Sequence, residues 1–352
     1  MNDPRLPVTV LTGFLGSGKT TLLQNLMQRA EWKDTAVIIN ELGETGLDHL
    51  LVQHVAPYVR LLQSGCLCCS VRDDLTLTLA DLHARRARGE LRFERVVVET
   101  TGLADPMPVL HTLATHPDTA RHFRLAGVAT VVDAHNGFAT LDRHEEARRQ
   151  VAVADALLLA KTDLAPPEAL ELLEQRLARL NPSAPQHRVS HGALRSEHLL
   201  QLENPFLSKP QQRLGEPPRI GTTWLLRGTG SRTESVFMRS LKPHASDIQT
   251  QCLTVDEPFE AEAFQHWLAL LTALRGERLL RFKGLIHIAE TPDHPLVVHA
   301  AQHLVHPPVP LPAWPDAERR SRLVFITQGM EAGLIENTLL KLTGTRATPS
   351  AF

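Results

Sequence analysis

"LPVTVLTGFLGSGKTTLLQNLMQRA", Leu6 to Ala30, decides the fold. A short apolar run, Val8 to Thr12, reads as a buried strand, a glycine-rich turn follows, and Leu22, Leu23, Leu26 and Met27 then share one face of a helix. The spelling Gly13-x4-Gly18-Lys19-Thr20 is the phosphate-loop pattern. Gly13, Gly16 and Gly18 let the backbone wrap closely around an anion, while the N–H groups through Ser17 to Thr21 and the helix N-terminus face it. Lys19 supplies charge for the outer phosphates, and the Thr20 hydroxyl completes the shell of a magnesium ion. The plainer alternative is a glycine-rich strand-to-helix turn with no ligand. The strand before the loop and the helix after it weigh against that.

Working outward, further apolar runs alternate with helix-like stretches. "TAVIIN" (Thr35 to Asn40), "YVRLL" (Tyr58 to Leu62), "RVVVET" (Arg95 to Thr100), "GVATVVDA" (Gly127 to Ala134) and "ADALLLAKTD" (Ala154 to Asp163) read as strands. The clearest helices are Asp73 to Glu90 and Pro166 to Leu180. This alternation predicts an α/β fold, a P-loop NTPase with a doubly wound, mainly parallel sheet. In such sheets ligands sit beyond the carboxyl ends of the strands, so the residues closing each run are candidates. Glu99 ends one strand as an acid near magnesium or the attacking water, and Gly102 offers a backbone N–H to a terminal phosphate. Ala160-Lys161-Thr162-Asp163 is close to the Asn-Lys-x-Asp element that reads guanine: the Asp163 carboxylate accepts from one edge of the base and the Lys161 stem covers its face. Each tetrapeptide alone could be a plain strand end or helix entry; their order after a phosphate loop favours the functional reading.

Proline and glycine concentrate, and periodicity vanishes, between Glu203 and Trp224. We expect a first domain over residues 1–204, a linker over 205–245 and a second, smaller α/β domain over 246–345. In the last, strands fall at Asp247 to Val255, Gly284 to Glu290 and Ser321 to Thr327, with a helix near Leu334 to Leu342. Between the first two strands lies an amphipathic helix with Phe264, Trp267, Leu268 and Leu271 inward. Trp267 is expected in the core. The region from Gly228 to Lys242 is ambiguous.

The 352-residue chain carries 37 basic and 39 acidic side chains, a balance that leaves no electrostatic footprint for nucleic acid or an anionic membrane. The opening "MNDPRLPV" lacks the layout of a signal peptide, and no apolar run approaches a membrane span; a cytoplasmic location is expected. Thiols stay reduced there, which bears on "SGCLCCSV", Ser64 to Val71, where three of the four cysteines fall within four positions. Cys66, Cys68 and Cys69 form a soft donor set suited to zinc, cobalt(II) or copper(I). Buried small hydrophobes and a redox pair are the competing readings. Clustering on a cytosolic nucleotide-binding scaffold favours metal. A further ligand could come from Glu41 or Glu44 in "NELGETG", or from a histidine brought in by another segment. Eighteen histidines are scattered; His299 and His303 would share a face if "HPLVVHAAQHLVHPP" is one strand, with His306 opposite, either as a second metal site or as ordinary polar strand residues.

In this order, "TGFLGSGKTTLL", "NELGETGLD", "SGCLCCSV", "ETTGLADP" and "AKTD" resemble the CobW-like P-loop GTPases, a family implicated in metal delivery. The resemblance extends more weakly to about Gly344. It implies GTP hydrolysis with magnesium at Gly18, Lys19, Thr20 and Glu99, and an acidic switch segment at Glu41 and Glu44. It also implies a Cys-x-Cys-Cys site for zinc or cobalt at Cys66, Cys68 and Cys69. The partners implied are a client metalloprotein and, in a nucleotide-dependent homodimer, a second copy. A metal sensor or storage protein without delivery is the alternative. Two departures stand out: Ala160 replaces the usual Asn, which leaves guanine selectivity on Asp163 and Lys161, and the histidine-rich run of many relatives is missing.

Overall fold

β1, Leu6–Thr12, has no polar face: Val8 and Val10 are fully buried on one side, Thr9 and Leu11 on the other. A strand buried on both faces belongs inside a parallel sheet covered by helices. The computed structural model describes residues 3–41, 59–63, 70–189, 194, 199, 202, 248–306, 308–331 and 333–350. The chain divides into two compact units, one holding β1 to β7 and the other β8 to β14.

In the first unit β1 is followed by α1 (Lys19–Met27), β2 (Thr35–Glu41), β3 (Val59–Gln63), α2 (Ser70–Ala87) and β4 (Arg95–Glu99). Then come α3 (Met107–Thr115), α4 (Pro117–His122), β5 (Phe123–Asp133), α5 (Gly137–Arg143), α6 (Glu145–Ala152), β6 (Ala156–Ala160), α7 (Pro167–Leu180) and β7 (Gln186–Arg188). The strand order is β3-β2-β4-β1-β5-β6-β7, and every pairing is parallel. All carboxyl ends therefore lie along one edge, with β1 flanked by β4 and β5, and the segments following β1, β4, β5 and β6 meet there.

Helix faces are cut by sequence spacing. α1 buries Leu22, Leu23, Leu26 and Met27; at about 2 kcal/mol per side chain this seats the helix whose N-terminus the glycine loop must present. On α2, Leu75, Leu79 and Leu82 are buried while Leu77 faces out. This helix ends at Ala87, short of the expected Glu90, because Gly89 turns left-handed (φ 75°) and the Glu90 N–H reaches back to Arg85 O at 3.0 Å. β5 starts at Phe123, four residues ahead of the apolar run that betrays it.

The second unit comprises β8 (Ile248–Val255), α8 (Ala261–Arg275), β9 (Leu279–Ile286), β10 (Leu296–Ala301), β11 (Leu304–Val305), β12 (Val309–Pro310), β13 (Ser321–Gln328), α9 (Leu334–Thr343) and β14 (Ala347–Pro349). Its sheet runs β11-β10-β9-β13-β8-β14, with β12 on β10, antiparallel throughout. Trp267 is fully buried, meets Phe282 and Phe325 edge-on, and donates its indole N–H to Thr338 Oγ1 at 3.1 Å. β9 occupies Leu279–Ile286 where the apolar reading placed Gly284 to Glu290, since Arg281 and Lys283 break the apolar run although Arg281 is buried.

His299, His303 and His306 do not lie along one strand. β10 ends at Ala301, Gln302 adopts a left-handed φ of 50°, and His303 lies in the turn, its Nδ1 2.7 Å from Thr272 O. His299 and His303 thus share no strand face. His306 instead donates its backbone N–H to His299 O at 2.9 Å across the hairpin. Among the described residues no three His, Cys, Asp or Glu side chains group as a metal site, and no helix is long and apolar enough to cross a membrane. The expected linker and the ambiguous stretch from Gly228 to Lys242 lie outside the described residues.

Candidate functional site

The turn after β1 depends on its glycines. Gly13 has φ 144°, and a Cβ there would stand 2.3 Å from Val131 O on the neighbouring strand. Gly18, φ 99°, is the N-cap of α1 and brings no side-chain cap of its own to the helix, whose N-terminus favours an anion. Ser17 is buried in the loop and Thr21 is exposed in the first helical turn. Lys19 is only 8% exposed. Its ammonium donates to the carbonyls of Gly13, 2.8 Å, and Phe14, 3.3 Å, which fixes a cation under the loop.

β4 delivers the acid. Glu99, 4% exposed, ends the strand in register with Leu11, and Thr20 Oγ1 donates to Glu99 Oε1 at 3.0 Å. Two hard oxygen ligands therefore stand together at the head of α1. Beyond Glu99 the backbone keeps hold of β1: the Thr100 N–H donates to Leu11 O at 2.9 Å, and Thr100 Oγ1 to Thr12 Oγ1 at 2.7 Å. The chain then turns through Thr101 to Ala104, closed by Ala104 N–H to Thr101 O at 3.1 Å. Gly102 sits in this turn against the glycine loop. A Cβ on it would come within 2.7 Å of Leu15 N and Cα.

β6 ends at Ala160, and Lys161 follows in a left-handed conformation, φ 59°, which costs an L-residue about 1 kcal/mol. Its ammonium donates to Gly16 O and to Asp133 Oδ2, each at 2.7 Å. Ala160 supplies no amide to brace the loop; the Lys161–Asp133 pair joins β5, β6 and the glycine loop instead. Burial pushes the Asp133 carboxyl upward, but hydrogen bonds from Lys161 and Asn136 outweigh it and hold the group below the ordinary carboxylate range. Asp163 is exposed two residues on. Beside the loop a cavity of about 240 Å³ is lined by Phe14, Gly16, Asp133, Asn136, Gln150 and Lys161 among others.

Of the expected site residues, the structure brings together Gly13, Gly16, Ser17, Gly18, Lys19, Thr20, Glu99, Gly102 and Lys161, with Thr21 and Asp163 at the margin. Glu41 closes β2 in register with Gln63, the last residue of β3. Glu44, Cys66, Cys68 and Cys69 lie outside the described residues. The spacing of motifs missed Asp133 and Gln150. Asp133 had a signal, since it closes an apolar strand at the ligand edge, whereas Gln150 sits in a polar helix with nothing to mark it.

The nucleotide-binding domain family described as CobW/HypB/UreG matches residues 7–188, and the cobalamin synthesis protein cobW C-terminal domain matches residues 248–343. The zinc chaperone YjiA of Escherichia coli (strain K12) is 33% identical over 321 residues, 91% of this chain and 93% of that protein. The zinc-regulated GTPase metalloprotein activator 1 of Schizosaccharomyces pombe (strain 972 / ATCC 24843) is 31% identical over 275 residues, 76% of this chain and 66% of its own length. Among solved structures, Zn(II)-bound YjiA GTPase from E. coli superposes with a TM-score of 0.68 at 27% identity, covering 97% of this chain and 99% of that one.

Proposed function

This chain belongs to the CobW/HypB/UreG family of nucleotide-binding proteins and is a GTPase, and on that premise we propose that it is a metallochaperone that takes zinc on Cys66, Cys68 and Cys69 and delivers it to a client metalloprotein. The observation that carries the nucleotide half is the 3.0 Å contact of Thr20 with Glu99 beside the anchored Lys19. These oxygens fit magnesium, which prefers hard ligands and, when bound, neutralises charge on the outer phosphates. Lys19 and the N–H groups of the loop orient the phosphates. Glu99 accepts a proton from, or orients, the attacking water. Gly102 offers its N–H to the terminal phosphate, and Asp163 accepts from the guanine edge.

The metal half rests on chemistry and position. Three thiolates suit zinc, the metal in the names of both relatives above. Glu41 and Gln63 end neighbouring parallel strands in register. Glu44 follows the first by three residues and Cys66 follows the second by three, a chain length that spans at most about 10 Å. The strands that precede the acidic switch and the cysteines thus end as neighbours at the carboxyl edge of the sheet, and in this reading an acidic segment ordered by GTP supplies Glu41 or Glu44 to a thiolate-bound ion. By linkage GTP then raises zinc affinity and zinc raises GTP affinity equally, by roughly 5–150-fold for a typical coupling. Hydrolysis would loosen the metal for transfer. The test is titration of zinc, and of cobalt(II) in parallel, against the protein holding GDP or a non-hydrolysable GTP analogue, with sedimentation in each state for the nucleotide-dependent homodimer. Tighter zinc in the GTP state is expected. Equal affinities would leave storage without delivery.

A further inference from the structure

Gln150 is fully buried on α6, yet its carboxamide faces the turn after β4. Nε2 donates to Gly102 O and to Ala104 O, both at 3.1 Å. Both N–H bonds of one amide thus reach into a single turn. A reversed carboxamide would set oxygen against two carbonyls, so the donors are fixed in this sense. The neighbouring residue works on the same loop: Arg149 lies 3.3 Å from Asp105 Oδ2, and Asp105 Oδ1 accepts the Met107 N–H at 2.9 Å, where α3 begins. The helix is itself secured. Thr130 Oγ1 donates to Gln150 O at 2.7 Å, and at the head of the helix the His144 ring packs on Phe14 of the glycine loop with centroids 4.4 Å apart.

α6 therefore touches both phosphate-facing segments, the glycine loop through His144 and the post-β4 turn through Gln150 and Arg149. We propose that Gln150 is a positioning residue for GTP hydrolysis: by gripping the Gly102 and Ala104 carbonyls it holds the Thr101–Ala104 turn where Gly102 can donate to the terminal phosphate. This rests on the reading of Gly102 as that donor. The turn has little freedom on its opposite side, since Gly102 already lies against Leu15. A buried amide that bonds two carbonyls at once is costly to replace, because each carbonyl loses its partner away from water. GDP lacks the terminal phosphate, so the grip acts on GTP and its transition state and leaves GDP indifferent.

Gln150→Leu and Gln150→Met, which keep the volume without the donors, separate these effects. Each is expected to weaken a non-hydrolysable GTP analogue about fivefold to tenfold, to lower kcat by at least as much, and to leave GDP affinity unchanged. Leu82→Ala, a core truncation on α2, controls for lost stability: it should lower Tm with the affinity ratio untouched. Gly102→Ala tests the underlying reading: it keeps the N–H, but its Cβ would stand 2.7 Å from Leu15 N and Cα and so forces the turn, and with it the donor, away from its place. If it shifts the ratio while both Gln150 variants keep it, Gln150 is only a packing residue and the proposal is overturned. If Gly102→Ala also keeps the ratio, the role of Gly102 falls and the proposal falls with it. Should neither Gln150 variant fold, hydrogen exchange on the wild-type protein decides: amides 101–104 must be better protected with the GTP analogue than with GDP, and equal protection overturns the proposal.

Discussion

The Thr20 hydroxyl lies 3.0 Å from Oε1 of Glu99, so the first turn of α1 and the last residue of β4 share one polar contact. Glu99→Gln keeps the shape of that contact and removes the charge. Turnover is expected to fall about a hundredfold while GDP affinity stays within about threefold, because the carboxylate acts in the transition state. Steady-state phosphate release and GDP competition measure the two. Unchanged kcat would remove Glu99 from the reaction.

Lys19 gives a sharper outcome. Its ammonium is held by Gly13 O and Phe14 O with 8% of the residue exposed, and Lys19→Ala deletes a fixed cation from the loop. Hydrolysis should drop at least about a hundredfold. Phosphate release at the wild-type rate would mean that the loop does not bind the transferring group.

Asp133 sits between Lys161 and the amide of Asn136, and its carboxyl is held below the ordinary value. A lowered folded-state pKa stabilises the protein fully above the ordinary carboxylate value near 4 and loses that stabilisation as pH falls through the lowered one. The Tm gap between wild type and Asp133→Asn should therefore be widest near neutrality and close under strong acid. Because Lys161 loses its ionic anchor, Asp133→Asn should also narrow the GTP-over-ATP preference, about threefold. A Tm gap that persists at the acid limit would refute the ion pair as its source.

The cysteines differ in kind. Burial pushes the Cys252 thiol up to about 11, so at neutral pH it is protonated, and among the described residues no His, Cys, Asp or Glu side chains join it in a metal-sized group. Cys66→Ser, Cys68→Ser and Cys69→Ser should each weaken zinc binding at least about tenfold, with affinity in the wild type rising as pH climbs through the thiol range. Cys252→Ser should leave zinc stoichiometry at its wild-type value. Metal analysis of the purified variants separates the two groups, and loss of zinc in Cys252→Ser alone would relocate the site.

What could be read from residues alone tracks how locally each feature is encoded. β1, the glycine loop and α1 carry their pattern within 25 residues, as does α7 with Leu170, Leu173 and Leu177 inward. β9 begins at Leu279, ahead of its apolar run, because a buried Arg281 looks like a break when its neighbours are unknown. His299 and His303 were separated by a left-handed Gln302 that no propensity announces. In the site, Lys19, Thr20 and Glu99 follow from motifs, whereas Asp133 and Gln150 act through partners 28 and 48 residues away in sequence. Such contacts belong to the tertiary fold, and neither spacing nor composition reports them.

The place of β1 in its sheet also sets a timetable. The strand is nearly all buried, yet both its neighbours come much later in the chain, β4 at Arg95–Glu99 and β5 at Phe123–Asp133. At a synthesis rate of about 5–20 residues per second, Leu6–Thr12 waits on the order of ten seconds beyond the ribosome before either edge can be paired. During that interval an apolar strand with two open edges is a target for self-association and for chaperones that bind extended segments. The glycine loop it carries is finished only when the centre of the sheet closes, so nascent chains stopped before about residue 135 should be unable to retain nucleotide.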